Sequence, residues 1–306
     1  MVVMVTGASG FVGSAVTAEL LQREWSVHAL LGRRPLTQST PRLHAIPGGI
    51  FDPAALDQAL KGCEAAIHLV GIIMERPSHG ITFRRMHVEA TRCVVDAAVR
   101  NGVKRYLHMS ALGTRLDAVS EYHKTKFEAE EYVRASGLDW TIFRPSMIHG
   151  PHGEFMKMET AWARGTAPPF LFMPYFGAGL FGRGGAGHIQ PVFVGDVARA
   201  FAEALGNPKT IGEIYPLGGA TPLTWPQMHE AVAQAVVGRK RWVQAIPVWK
   251  AKLLTRIVPG PLLPFNHDQV VMSQEDGTCD LTKFKGEFGW EPRGFAEALK
   301  TYISAP

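Results

Sequence analysis

The chain has 306 residues, and its 46% hydrophobic content supplies enough apolar side chains for a large core. This composition excludes a disordered chain and predicts one large α/β domain, or such a domain with a smaller companion. The formal net charge of +5 is spread over the chain in short basic clusters without a long basic run, so we do not predict nucleic-acid binding.

The first predicted elements are a strand, a glycine turn and a helix start. An apolar run over residues 1–5 leads to three glycines spaced three apart, and a helical pattern of apolar residues follows. Such turns bind a dinucleotide pyrophosphate, because glycine permits close backbone approach and a helix start offers N–H groups. By itself, GxxGxxG spacing also fits an ordinary turn. The predicted cofactor contacts in this turn are Gly7, Ser9, Gly10, Phe11, Val12 and Gly13.

The second predicted strand, residues 25–31, ends just before Arg33 and Arg34. About 20 residues past the glycines, an acidic residue would bind the ribose 2′-hydroxyl of NAD, whereas arginine accommodates the 2′-phosphate of NADP. No Asp or Glu stands at this position. The sequence therefore favours NADP over NAD, with both arginines as contacts. Two solvated arginines at the surface are the alternative.

Strands and helices keep alternating after this point. A short strand near residues 44–46 leads to Asp52, which either binds the adenine amino group or caps the next helix, and both roles can coexist. The strand over residues 65–71 is almost continuously apolar, as expected for a parallel strand buried on both faces. Its end should face the cofactor with Leu69, Val70 and Gly71. A helix and a fifth strand over residues 105–110 follow. The alternation predicts an α/β fold with a doubly wound parallel sheet.

The next predicted helix is rich in glutamate and carries Tyr122 and Lys126. Four residues apart on a helix, these side chains project from one face and can act on the same small volume. A phenol with a pKa near 10 is a poor base at neutral pH, but a nearby ammonium and an oxidised nicotinamide both favour the phenolate. Tyr122 could then exchange a proton with a hydroxyl or carbonyl. Alone, such a pair usually means an exposed helical face.

The sixth predicted strand, residues 140–143, ends in Arg144, Pro145 and Ser146. Strand ends lie on the ligand side of an open parallel sheet, so Pro145 and Ser146 could line a nicotinamide pocket. A strand exit shaped by proline is the alternative.

Together, these segments resemble the short-chain dehydrogenase/reductase superfamily of the extended type. The closer resemblance is to its atypical branch, which is related to the 39-kDa accessory subunit of respiratory complex I and is often labelled NAD-dependent epimerase/dehydratase. The resemblance covers most of the chain. The segments that carry it are residues 6–13, 68–72, 87–91, 108–113, 143–146 and 191–198, with Tyr122 and Lys126.

The resemblance implies an NAD(P)-binding Rossmann domain. In it, Tyr122 is the acid/base, Lys126 holds the nicotinamide ribose and lowers the tyrosine pKa, and Ser110 polarises the reacting oxygen. His87 is a further expected cofactor contact, although extended members usually have Asn there. Ser110 and Tyr122 are also closer in sequence than in sugar epimerases. The atypical branch keeps the tyrosine and lysine without a full catalytic tetrad.

From about residue 151 the alternation ends, and proline, glycine and aromatic residues become frequent. Residues 167–187 cannot form a regular helix or a central strand, and they form either a lid with an apolar wall or a covered core loop. We expect residues 1–150 plus about 188–210 to form the NAD(P)-binding domain. Residues 151–187 plus about 211–306 should form a smaller, discontinuous C-terminal substrate or lid domain.

Residues 242–265 combine apolar positions at helical spacing with Lys250, Lys252 and Arg256. A basic amphipathic helix of this kind either packs against the core, which we expect here, or lies on a membrane surface.

The cysteines and the apolar segments give the expected environment. Cys63, Cys93 and Cys279 are odd in number, far apart and without a CxxC pair, which argues against a disulfide framework and a zinc site. No apolar stretch reaches spanning length, and no signal-peptide pattern precedes the first strand. We therefore expect a cytoplasmic protein with no metal site and with peripheral membrane contact at most.

The function expected from these residues is that of an NADP-dependent oxidoreductase or epimerase acting on a secondary hydroxyl or carbonyl. The alternative is a catalytically idle, nucleotide-bound scaffold or assembly subunit of a respiratory or membrane complex, and a redox-sensing regulator is a weaker third. The aromatic segments suit an apolar or lipid-like substrate such as a quinone or isoprenoid, whereas the family resemblance suggests a nucleotide sugar. Arg144 and Arg183 could meet a phosphate. The sequence does not decide among these substrates.

Overall fold

The computed structural model describes residues 1–303 except 33–34, 37–38, 183–186, 259–262, 264, 266 and 276. The predicted residues Arg33, Arg34 and Arg183 therefore lie outside the described residues. The chain divides into two compact units. The first contains Met1–Pro145, Val194–Leu217 and Leu281–Trp290, and the second contains Ser146–Phe193, Gly218–Asp280 and Glu291–Pro306.

The strands and helices are numbered in chain order. The strands are β1 (Val2–Thr6), β2 (Ser26–Leu31), β3 (Leu43–Pro47), β4 (Ala65–His68), β5 (Arg105–Met109), β6 (Asp139–Pro145), β7 (Ile148–His149), β8 (Met173–Gly177), β9 (His188–Ile189), β10 (Val192–Phe193), β11 (Glu213–Leu217), β12 (Leu223–Thr224) and β13 (Val243–Pro247). The α-helices are α1 (Phe11–Gln22), α2 (Pro53–Leu60), α3 (Ala90–Arg100), α4 (Glu121–Arg134), α5 (Glu154–Arg164), α6 (Val194–Gly206), α7 (Trp225–Val237), α8 (Val248–Ile257), α9 (His267–Met272), α10 (Thr282–Phe288) and α11 (Phe295–Leu299). A π-helical turn, Arg84–Glu89, leads directly into α3.

The first unit contains a seven-stranded sheet in the order β11-β6-β5-β4-β1-β2-β3. Every neighbouring pair is parallel. The chain adds strands on one side of β1 and then on the other, which is the doubly wound order of dinucleotide-binding folds. The predicted fold class is confirmed.

Helices cover both faces of this sheet, as β6 shows. Ile142 is buried in a cluster with side chains of α2, α3 and α4, whereas the next residue, Phe143, contacts Phe201 of α6 with ring centroids 4.6 Å apart. Successive residues of a strand point to opposite faces, so β6 is apolar on both. The same reason explains why β1 and β4 are almost continuously apolar.

The second unit has its own apolar core. Helices α5, α7 and α11 pack together, and Met156, Trp162, Met173, Met228 and Phe295 belong to their buried cluster. Its strands form short pairs, β7 with β10, β9 with β12, and β8 with β13. This small-sheet arrangement accommodates the many prolines of the segment, because an edge strand can lack a donor.

The two units differ in extent from the predicted domains. Strand β11 pairs with β6 as an edge of the main sheet, and residues 281–290 also belong to the first unit, whereas residues 188–193 belong to the second. The assignment of cofactor binding to one domain and substrate binding to the other stays a prediction.

Contrary to our expectation, helix α8 does not bury its apolar stripe in the core. Ala251 is its buried residue, and the larger apolar side chains are exposed. The expectation was wrong because helical periodicity identifies an apolar stripe but not the surface that covers it. Among the described residues, no helix combines the length and apolar composition needed to span a membrane.

Candidate nucleotide-binding and active site

The glycine turn between β1 and α1 has the geometry of an anion site. Gly7 has φ +74°, and the Gly10 N–H donates to the Gly7 carbonyl at 2.9 Å. At Gly13, a Cβ would lie 1.9 Å from that carbonyl oxygen, so a side chain is excluded. Helix α1 begins directly after Gly10, and among the described residues no side chain caps it. Its first N–H groups and partial positive charge are therefore available to a phosphate.

The end of β4 packs against this turn. A Cβ at Gly7 would contact the Leu69 carbonyl carbon and the Val70 nitrogen and side chain, each at 3.4 Å. The Leu69 N–H donates to the Thr6 hydroxyl at 3.3 Å, which ties the ends of β1 and β4 together. Gly71 follows without a side chain. The structure thus brings the two predicted glycine segments to the same edge of the sheet.

The Lys126 side chain of α4 extends to Gly71, three residues after the end of β4. Its Nζ donates to the Met109 carbonyl at 3.0 Å and lies 3.0 Å from where a Gly71 Cβ would be. Burial lowers the pKa of Lys126 to about 8, and the nearby Glu130 carboxylate opposes this shift. Glu130 is itself fully buried and accepts two hydrogen bonds from the Arg144 guanidinium. Lys126 therefore stays mostly charged at pH 7.

His87, on the π-helical turn, is buried beside Lys126. Its Nδ1 lies 2.9 Å from the Thr125 hydroxyl, which donates its own proton to the Glu121 carbonyl. Nε2 lies 3.0 Å from the Ile72 carbonyl oxygen and 3.3 Å from the Ile72 nitrogen, so the Ile72 backbone and the Thr125 hydroxyl hold the ring from both sides. Burial first, and then the Lys126 charge, lower the pKa of His87 to about 2. The ring is therefore neutral and held in one orientation.

Tyr122 lies one turn before Lys126 on α4 and is half-buried. Its ring makes edge contacts with His87, Phe83 and His123, at centroid distances of 5.2, 5.7 and 5.1 Å. Burial raises the pKa of Tyr122 to about 12. The lowered tyrosine pKa that the family resemblance implied is thus not found in this structure, because desolvation of the phenolate dominates.

Ser110 directly follows β5 and is buried. Its hydroxyl donates to the Thr114 hydroxyl at 3.3 Å, and its N–H donates to the Phe143 carbonyl at 2.8 Å. The backbone contact extends the pairing of β5 with β6. A role for Ser110 in polarising a substrate oxygen stays a prediction.

The remaining predicted residues have structural roles. Asp52 caps α2, because its Oδ1 accepts from the Ala54 and Ala55 N–H groups at 3.0 and 3.3 Å. The Pro145 carbonyl accepts from the Leu112 N–H at 2.9 Å. Ser146 belongs to the second unit and donates to the Gly277 carbonyl there at 3.2 Å. Contacts of Asp52, Pro145 and Ser146 with a cofactor stay predictions.

Two buried histidines that we did not predict lie next to this site. His68 and His108 occupy paired positions of β4 and β5, and their rings stack with centroids 5.5 Å apart. The Thr6 hydroxyl contacts His68 Nδ1 at 2.7 Å, whereas His68 Nε2 and both His108 nitrogens have no hydrogen-bond partner among the described residues. Burial lowers both pKa values, that of His68 to about 3. A histidine within each of these two predicted strands was the available signal.

Glu130 is a third residue that the predictions missed. Glu130 stands four residues after Lys126, so helical spacing alone predicts that its carboxylate lies on the same face of α4 as the Lys126 ammonium. The site thus combines an uncapped helix start after the glycine turn with a buried ammonium and a phenol. This donor set suits a dinucleotide and a substrate oxygen.

A family model described as NAD(P)H-binding matches residues 7–160. The chain is 34% identical to ceramide reductase of Caulobacter vibrioides over 152 residues, which are 49% of this chain and 47% of that protein. It is 26% identical to NADH dehydrogenase (ubiquinone) 1 alpha subcomplex subunit 9, mitochondrial, of Arabidopsis thaliana, over 88% of this chain and 69% of that one. The match thus spans about half the length of the reductase.

Among solved structures, the one described as gox2253 aligns with a TM-score of 0.76 and 26% identity over 99% of this chain and 96% of that chain. The similarity to a complex I subunit agrees with the predicted family resemblance, which these comparisons confirm.

Proposed function

Because the chain belongs to the NAD(P)H-binding family, whose model matches residues 7–160, we propose that it is an NADP(H)-dependent oxidoreductase. Its reaction interconverts a carbonyl and a secondary hydroxyl, with Tyr122 as the acid/base. One observation carries the proposal. Tyr122 contacts His87, and His87 and Lys126 both lie against Gly71, at the end of the strand that packs on the glycine turn.

The residues around the turn suit a bound dinucleotide. The backbone N–H groups at the start of α1 would hold the pyrophosphate, and the missing side chain at Gly13 lets this helix start pack closely on the Gly7 carbonyl. The Lys126 ammonium has donors beyond the one used by the Met109 carbonyl and would hold a ribose hydroxyl. When bound, the nicotinamide supplies or accepts the hydride.

The preference for NADP(H) over NAD(H) rests on the sequence. Arg33 and Arg34 follow β2, where no acidic residue stands to bind a 2′-hydroxyl.

The raised pKa of Tyr122 favours reduction as the direction of proton transfer. With a pKa of about 12, the phenol is protonated at pH 7 and can donate to a substrate carbonyl oxygen as hydride reaches the carbon. The Lys126 ammonium then stabilises the phenolate that remains. An epimerase would need the same phenol to act first as a base, which burial disfavours.

An apolar carbonyl compound is the substrate class that the relatives favour. The relative with 34% identity is named ceramide reductase, and its aligned segment corresponds to about half of this chain. A lipid-like ketone fits that name better than a nucleotide sugar does.

The test begins with the purified protein. Native mass spectrometry identifies any co-purified nucleotide, and loss of reduced-nicotinamide absorbance is then measured with a panel of long-chain ketones and nucleotide sugars. Tyr122→Phe should lower kcat/KM by about 100-fold or more and leave the NADPH Kd unchanged. Tyr132→Phe is the matched control, because it removes a phenol on the same helix that hydrogen-bonds Asp96.

Two results would contradict the proposal. Full turnover by Tyr122→Phe would remove the acid/base role. Recovery of NAD without NADP would refute the assignment of Arg33 and Arg34.

A nucleotide-bound scaffold is the second candidate function. The observation that favours it is the 26% identity to a complex I subunit, which extends over 88% of this chain. In that case, bound NADPH would stay reduced with every carbonyl compound tested, and Tyr122→Phe would leave all measured properties unchanged.

A further inference from the structure

Helix α8 of the second unit carries an apolar stripe on its exposed side. Trp249, Leu253 and Ile257 stand four residues apart and are 47%, 48% and 69% exposed, and Leu254 beside them is 40% exposed. Ala251 is the buried residue of the helix. In a globular protein, a stripe with this spacing normally faces the core. Here the four side chains are 40–69% exposed, so the described residues leave much of the stripe uncovered.

The loop after β8 extends this stripe. The Trp249 indole Nε1 donates to the Leu180 carbonyl at 3.1 Å, which fixes the loop beside the start of α8. Leu180 and Phe181 are 66% and 73% exposed. We call this surface the α8 face, and its apolar residues are Leu180, Phe181, Trp249, Leu253, Leu254 and Ile257. Exposed apolar side chains that are grouped in this way mark interaction sites.

Cations flank the α8 face. Lys250 and Arg256 are exposed, Lys252 is half-buried, and the Lys250 ammonium lies 5.4 Å from the centre of the Trp249 ring. Residues 231–267 contain six Lys and Arg residues and no Asp or Glu. This segment alone is more positive than the whole chain, whose formal net charge is +5.

The combination of charge and apolar side chains selects one kind of partner. A second copy of the α8 face would bring like charges together, and a nucleic acid would leave the aliphatic side chains exposed to water. An anionic bilayer accepts both features, because apolar side chains enter the headgroup boundary while lysine and arginine stay among the lipid phosphates. We propose that the α8 face docks the protein on an anionic membrane surface, with α8 lying in the plane of the interface. This docking does not depend on the proposed enzyme activity.

Vesicle sedimentation with the full chain tests the docking. The protein is mixed with vesicles of phosphatidylcholine alone or of phosphatidylcholine with phosphatidylglycerol, at low and at physiological salt. Anionic vesicles should bind at least tenfold more strongly, and added salt should weaken this binding. Lys250→Gln with Arg256→Gln should weaken it about 25-fold, since each cation near the surface contributes about fivefold. Leu253→Glu with Ile257→Glu should abolish it.

Matched variants in the first unit serve as controls. Lys61→Gln with Lys104→Gln removes the same charge from two exposed positions. Val99→Glu places a carboxylate at a helical site that is 50% exposed, close to the exposure of Leu253. Both should bind vesicles like the wild type, and all variants should keep the wild-type unfolding midpoint.

Three results would overturn the docking. The first is no binding to either vesicle, and the second is equal binding by wild type and the Leu253→Glu, Ile257→Glu variant. The third is a wild-type dimer in sedimentation velocity that this double variant dissociates, because a second copy would then occupy the face.

Discussion

Replacing Gly13 by alanine should disable the glycine turn. The new Cβ would lie 1.9 Å from the Gly7 carbonyl oxygen, so the two atoms must separate by about 1.5 Å to reach ordinary contact at 3.4 Å. The carbonyl cannot retreat freely, because it accepts the Gly10 N–H at 2.9 Å. Leu69 and Val70 lie close beside Gly7, since a Cβ there would be 3.4 Å from each. Relief of the clash therefore moves the turn and the end of β4 together.

The size of the effect follows from these contacts. Forcing an extra carbon into a packed site costs about 1–3 kcal/mol, and losing the Gly10 hydrogen bond costs about 0.5–1.5 kcal/mol. Gly13→Ala should thus lower the free energy of unfolding by about 2–4 kcal/mol. Because the shifted turn carries the N–H groups that would hold a pyrophosphate, NADPH affinity should fall by about 100-fold or more.

Urea unfolding and calorimetric titration with NADPH measure both effects. Gly10→Ala should give a smaller loss, because its Cβ would lie 3.1 Å from the same carbonyl oxygen. Gly286→Ala in α10 is the control, since a Cβ there has nothing within 4 Å and should stabilise by about 0.5–1 kcal/mol. If Gly13→Ala binds NADPH within threefold of wild type, the turn is not the pyrophosphate site.

Two further predictions concern buried polar groups. Glu159 of α5 accepts from His229 of α7 at 2.8 Å with both side chains at most 1% exposed, so Glu159→Ala should cost about 3–5 kcal/mol in urea unfolding. The exposed Glu154→Ala on the same helix should cost under about 0.5 kcal/mol, and equal costs would contradict the buried role. The buried histidines of the first unit have pKa values below their unfolded value near 6.5, so stability is full above that pH and falls below it. Their three protonations should remove about 4 kcal/mol between about pH 7.5 and about pH 5.5, and an unchanged urea midpoint would refute this.

The main sheet was predictable because its signals are local. Each parallel strand is a short apolar run followed by a helix, and the glycine spacing marks the turn after β1. The place of strand β11 at the edge of this sheet was not predictable in the same way. It pairs with β6 across a long segment in which the alternation of strands and helices stops, so no local pattern links residues 213–217 to residues 139–145.

The candidate site shows a different limit. The spacing of Tyr122 and Lys126 was enough to place them on one face of α4, and the structure agrees. The direction of the tyrosine pKa depends on how deeply the phenol is buried and on which charges surround it, and neither quantity is local in sequence. The same applies to His87, whose neutral ring is fixed by Thr125 and Ile72 from separate segments.

The α8 face shows that periodicity and charge must be considered together. The spacing of Trp249, Leu253 and Ile257 predicts an amphipathic helix whichever surface covers it, and a core-facing helix is the more frequent outcome. The charge pattern carried the missing information. The basic clusters by themselves are spread over the whole chain. Residues 231–267, however, also lack Asp and Glu, which gives this segment a formal charge of +6. Lys240 of this segment pairs with Glu230, whereas Lys250, Lys252 and Arg256 lie on α8 itself. An anionic membrane surface would attract these cations, which explains the excess of positive charge in this segment.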